Sequence, residues 1–189
     1  MSRLLCALLL AVSPLIATAA PSPATANQDD LDRLLADKGL MSQLNHVRQS
    51  VTERASTLVV NAMGFIGVPY RRGGNSAASG FDCSGFVRAI YGETVGHLLP
   101  RRANEQAAAT EKIDKTDLQP GDLVFFNTMR RAFSHVGIYV GDGKFIHAPK
   151  PGAQVRVEDM RIGYWNSRFD GARRVQADSE AAAGLSNTR

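Results

Sequence analysis

At 189 residues with 44% hydrophobic content, the chain is sized for one domain with short appendages and has the apolar side chains to build its core. Its 22 basic and 18 acidic residues leave a net charge of +4, with no basic stripe. That excludes a nucleic-acid footprint and favours, if anything, an acidic polymer as partner.

The first twenty residues have the layout of a secretory signal. Arg3 gives the positive start, Leu4 to Ile16 the apolar run, and Ala17-Thr18-Ala19 the small-x-small cut, with Ala24-Thr25-Ala26 as a second candidate. The run is too short for a membrane span, so the expectation is an exported protein with no stable membrane insertion. Removal of the signal takes Cys6 with it and leaves Cys83 as the only cysteine of the mature chain. A thiol without a disulfide partner in an oxidising compartment calls for a reactive role.

Pro21 to Asn27 reads as a leader, and Leu31, Leu34, Leu35, Leu40 and Met41 give a weak helical pattern after it. The expected division is therefore a signal over 1–20, a leader and helical arm over 21–50, a folded domain over 51–175 and a polar tail over 176–189. Val51 to Ile66 predicts a helix with Leu58, Val59, Met63 and Phe65 as core positions, stopped by Gly67 and Pro69. A glycine-rich loop from Tyr70 to Ser79 then leads to Asp82 and Cys83.

Apolar residues at Phe86, Val87, Ile90 and Tyr91 mark one face of a helix for which Asp82 is the N-cap, so Cys83 opens it. The positive end of the helix favours a thiolate there. Asn104 to Thr110 predicts a short helix, and Leu123 to Phe126 a buried strand after the Pro120-Gly121 turn. Next, His135-Val136-Gly137-Ile138-Tyr139-Val140 and Lys144-Phe145-Ile146-His147-Ala148 flank Gly141-Asp142-Gly143, a hairpin. A three-residue loop with Gly143 left-handed pairs Ile138 with Ile146 and Tyr139 with Phe145, matching like with like. His135 and His147 then become diagonal neighbours on one face, and the cysteine helix is expected to pack on that face. Val155, Val157 and Met160 give a further strand, Tyr164, Trp165 and Phe169 close the core, and Ala172 to Val175 form a last strand. Helices followed by a run of strands predict an α+β fold with a central antiparallel sheet.

A helix-borne Cys with two strand-borne His supplies a nucleophile, a base and an orienting group. One Cys and two His also make an open zinc site conceivable, but no short ligand spacing is present, so neither a metal nor a cofactor is expected. Asp82-Cys83-Ser84-Gly85-Phe86, Pro120-Gly121-Asp122-Leu123-Val124-Phe125-Phe126, Ser134 to Gly141 and Phe145-Ile146-His147-Ala148, in this order, resemble the signatures of the NlpC-type cell-wall peptidases, papain-like cysteine enzymes of bacteria. The resemblance implies a papain-like fold with Cys83 as nucleophile, His135 as base and His147 as third member. It assigns Tyr70, in Gly67-Val68-Pro69-Tyr70, to the oxyanion site, and makes Asp82 and Ser84 candidates for substrate binding. Arg72 departs from the pattern, standing where an aromatic residue is common.

The implied activity is hydrolysis of peptidoglycan stem peptides between the γ-carboxyl of D-glutamate and a diamino acid such as diaminopimelate. An amidase with the same machinery and a non-catalytic wall-binding module are the alternatives. No wall-binding repeat accompanies the domain, so the wall would be reached through the domain surface, the arm before Ser50, or a protein activator or adaptor. The same absence points to the periplasm rather than the exterior.

Overall fold

The computed structural model describes residues 40–176. The expected signal, the leader and nearly all of the polar tail lie outside the described residues, as does the Leu31 to Leu35 part of the arm. Helix α1, Leu40–Met63, is longer at its start and shorter at its end than the sequence predicts. Of the described residues, 40–45 belong to one unit and 46–176 to a second, which holds the candidate site. Leu58 and Ala62 are the buried positions of α1, whereas Val47 and Val51 are half exposed.

A two-stranded ribbon of β1, Asn75–Ser76, and β2, Gly80–Phe81, delivers the chain to α2, Cys83–Val95. Asp82 caps α2 in extended geometry by accepting from the Gly85 N–H at 2.7 Å, and Gly96, left-handed at φ 71°, ends it. Phe86, Val87, Ile90 and Tyr91 are the buried face, as the spacing predicts. A short helix α3, Ala103–Ala108, follows.

The remaining elements form one antiparallel sheet. Its strands are β3, Glu111–Ile113, β4, Leu123–Phe126, β5, His135–Gly141, β6, Lys144–His147, β7, Arg156–Asp159, and β8, Phe169–Arg174. They lie in the order β3-β8-β4-β5-β6-β7, and α4, Gly163–Asn166, precedes the last strand. The hairpin takes the like-with-like register, Ile138 opposite Ile146 and Tyr139 opposite Phe145. The loop itself differs from the three-residue one expected: Gly141 pairs with Lys144, so Asp142 and Gly143, left-handed at φ 50° and 69°, form a two-residue turn, and a bulge between Tyr139 and Gly141 sets the register.

Strand alternation divides the sheet into two apolar faces. Leu123, Phe125, Val136, Ile138 and Ile146 join the core beneath α2, with Phe86, Val87, Ile90 and Tyr91. Val124, Phe126, Phe145, Met160 and Trp165 form a second cluster on the other face. His135 pairs with Phe126 and so shares this second face. The expectation that the cysteine helix packs on the histidine face is therefore corrected. Both faces of the strands are apolar, so alternation alone did not show which one the helix covers.

Close packing fixes the approach to α2. A methyl group on Gly85 would stand 2.1 Å from the carbonyl oxygen of Gly74. In an open helix, alanine would be favoured over glycine by about 1 kcal/mol. Here Gly85→Ala is expected to destabilise by about 2 kcal/mol, because the clash is with backbone. A higher denaturation midpoint in this variant would contradict the packing described.

Candidate active site

Cys83 is the first residue of α2 and His135 the first residue of β5, and both line one cleft of about 1670 Å³. The backbone N–H of Val136, the residue after His135, acts on the Cys83 thiol and favours its charged form. The helix and the sheet thus converge at the start of β5, although the histidines lie on the face away from the helix.

His135 Nε2 lies 2.7 Å from His147 Nδ1, a single shared proton apart. Both rings are enclosed, His147 completely and His135 to within 4% exposure. Trp165 stacks on His135, with ring centroids 5.5 Å apart and planes at 28°, and meets His147 edge-on at 5.0 Å. These contacts hold both imidazoles in fixed orientations.

Burial dominates the proton affinities. It lowers His135 to about 3, with His147 opposing a second positive charge and Glu158 working the other way. Burial also lowers His147, again against Glu158. It raises the Cys83 thiol, helped by the Asp82 carboxylate, while the N–H groups of Val136, Ser84 and Cys83 act in the opposite sense. The thiolate expected from the helix terminus is thus corrected for the free protein: desolvation outweighs the helix end and favours the protonated thiol, while burial keeps the His135 imidazole neutral. A neutral imidazole keeps one bare ring nitrogen with which to take a proton during attack.

Tyr70 lines the same cleft. Its segment is clamped on both sides, Tyr70 N–H donating to Ala153 O at 2.8 Å and Arg71 N–H to Phe81 O at 2.8 Å. Burial and then the neighbouring Cys83 keep its phenol protonated, so its hydroxyl is available as a donor. Asp82 also lines the cleft, with both of its oxygens engaged. Oδ1 accepts from Gly85 N–H and from Arg101 Nη1 at 2.9 Å, and Oδ2 from Arg101 Nη2 at 2.6 Å and Gly73 N–H at 2.9 Å. Ser84 Oγ accepts from the same guanidinium at 3.1 Å. The structure therefore assembles Asp82, Ser84 and Arg101 into one charge-paired wall of the cleft. Arg72, the departure from the family pattern, lines the same cleft.

Sequence reasoning missed Glu158. It lies in β7 beside His147, its Oε2 3.6 Å from His147 Nε2, an ion-pair separation longer than a hydrogen bond. The indole of Trp165 donates to the same carboxylate, and Arg156 also pairs with it. Together these partners hold Glu158 down at about 2, His147 contributing most. The only sequence signal was its place two residues past Arg156, which pairs with His147 across β6 and β7. Among the described residues, no group of three or more His, Cys, Asp or Glu is placed to hold a metal ion.

The profile of the NlpC/P60 family matches residues 67–174, more than half of the chain. Murein DD-endopeptidase MepH of Escherichia coli K12 is 40% identical over 136 residues, covering 70% of this chain and 50% of that protein. Gamma-DL-glutamyl hydrolase of Bacillus subtilis 168 is 42% identical over 118 residues, covering 62% of this chain and 28% of that protein. The chain thus spans half or less of the length of these two relatives. The crystal structure of the NlpC/p60 domain of peptidoglycan hydrolase SagA superposes with a TM-score of 0.57 at 34% identity, covering 64% of this chain and 98% of that one.

Proposed function

The chain belongs to the NlpC/P60 family, and from that premise we propose that it is an exported cysteine endopeptidase that hydrolyses peptidoglycan stem peptides at the bond between the D-glutamate γ-carboxyl and a diamino acid. Residues 51–175 form its peptidase domain, residues 1–20 its signal, and the periplasm is where it acts. The observation that carries this reading is Cys83 and His135 on one cleft, with His135 bonded at 2.7 Å to a buried second histidine.

The chemistry follows from those positions. His135 takes the Cys83 proton as sulfur attacks the scissile carbonyl. The Cys83 backbone N–H, at a helix N-terminus, and the Tyr70 hydroxyl are the donors available to the oxyanion. His135 then returns its proton to the departing amine, leaving a thioester. Water, deprotonated by His135, attacks the thioester, and the proton passes back to the departing sulfur as the acid is released.

The charge of the cleft supports an anionic substrate. Its three acidic residues each face an arginine: Asp82 with Arg101, Glu158 with Arg156 and Asp159 with Arg161. Arg72, Arg131 and Lys150, on the same cleft, have no ion-pair partner among the described residues. A γ-linked D-glutamate carries a free α-carboxylate beside the bond, which suits these cations. Arg131→Glu is expected to raise KM about fivefold with kcat nearly unchanged, an effect that shrinks in high salt. Unchanged KM at low salt would remove Arg131 from substrate recognition.

A second reading, cleavage of the D,D cross-link, is favoured by the similarity to MepH, which is named for that activity. Chromatography of products from purified monomeric and cross-linked muropeptides separates the two. Monomeric stems shortened at the diamino acid support the first reading. Dimers converted to intact monomers support the second.

A further inference from the structure

The pairing of His135 Nε2 with His147 Nδ1 leaves two neutral arrangements open, because one proton lies between the two nitrogens. Only one of them gives a base. If His135 carries its proton on Nε2, its Nδ1 is bare and accepts the thiol proton. If the proton sits on Nδ1, His135 has no acceptor left for Cys83.

The outer side of His147 decides between them. His147 Nε2 is fully buried and has no hydrogen-bond partner, and the nearest charged group is the Glu158 carboxylate at 3.6 Å. An ionised carboxylate accepts and never donates, so it favours a proton on the nitrogen that faces it. Glu158 is itself held in place by the Trp165 indole, whose ring stacks on His135. Arg156, paired with Glu158 on its outer side, opposes a positive charge on His147.

We infer that Glu158 is a positioning residue that fixes the tautomers of both histidines, placing protons on His147 Nε2 and His135 Nε2 and leaving His135 Nδ1 as the base. This rests on the peptidase reading for its consequence, though not for its geometry. With glutamine at 158 the charge is lost, and an amide nitrogen at the Oε2 position donates to His147 Nε2 and turns the chain of donors around, giving up the acceptor that the Trp165 indole shares at that same atom. Aspartate keeps the charge and the direction.

The test is nitrogen-15 NMR of the full chain labelled at histidine, with hydrolysis kinetics on the same samples. In the unmodified protein both rings are expected as Nε2–H tautomers. Glu158→Gln is expected to reverse or mix them and to lower kcat about 10²-fold, since a triad with the wrong tautomer loses its base, while KM stays within about twofold. Glu158→Asp is expected to keep the tautomers and recover part of kcat, which a merely structural defect would not predict. A proton on His135 Nδ1 in the unmodified protein overturns the inference without reference to any variant. So do unchanged tautomers or unchanged kcat in Glu158→Gln. If the unmodified protein hydrolyses no peptide while its tautomers and their reversal are as expected, the peptidase reading fails and the positioning role of Glu158 stands.

Discussion

Cys83→Ala is expected to lower hydrolysis of peptidoglycan peptides by about 10⁴-fold or more, the scale of removing the nucleophile from a catalytic triad. No other side chain can replace it. Ser84 Oγ is tied to Arg101 and has no imidazole beside it, and the Tyr70 phenol is held protonated by burial. The fold should survive, because the helix start depends on the Asp82 side chain and the backbone N–H of Gly85 rather than on the sulfur. Initial rates beside a thermal melt check both halves. A stable variant with full activity would place the nucleophile elsewhere.

His135→Ala is expected to cost about 10³-fold or more in kcat, because His135 is the only histidine among the described residues that lines the cleft. The same histidine carries a pH signature in the native protein. An unfolded imidazole protonates near 6.5, whereas burial holds His135 neutral down to about 3. Across that window the unfolded chain binds the extra proton, so native stability is fully present above about 6.5 and is lost as pH falls towards 3. His147 shifts the same way, and Glu158, ionised down to about 2 in the fold, adds to the loss below the ordinary carboxylate range. Melting temperature is therefore expected to fall steadily from pH 7 to pH 4, and less steeply in His135→Ala. Parallel slopes in the two proteins would mean that His135 is not held neutral by burial.

The hairpin that carries both histidines was legible because its two strands match apolar with apolar in only one register, and Gly143 sits where a left-handed residue is needed. The start of α2 was legible for a similar reason: a capping aspartate followed by a 3.6-residue apolar pattern leaves little choice. The face covered by α2 was not, since Phe126 and Phe145 make the histidine face as apolar as the face with Val136 and Ile138. Protonation was misread for a related reason. The helix end is visible in sequence, whereas the enclosure that outweighs it comes from chain segments distant in sequence. Glu158 escaped notice because a charged residue in a half-buried strand looks like a solvated one. Its register with His147 is set across the connection over 148–155, whose Pro151-Gly152 turn lies well short of β7 and does not by itself fix how the strands pair. The pairing of Asp82 with Arg101 joins two loops that no periodicity links. Tyr164, expected in the core, is half exposed, and only its neighbour Trp165 is enclosed.

The central claim, that Cys83 and His135 together cleave the peptide stems of the cell wall, is tested most directly by mass spectrometry of fragments released from isolated peptidoglycan, with Cys83→Ala protein in parallel. The account predicts fragments that end at the D-glutamate γ-carboxyl, released by the unmodified protein and absent from the variant. Equal release by both proteins, or whole stems freed from the sugar with every peptide bond intact, would contradict it.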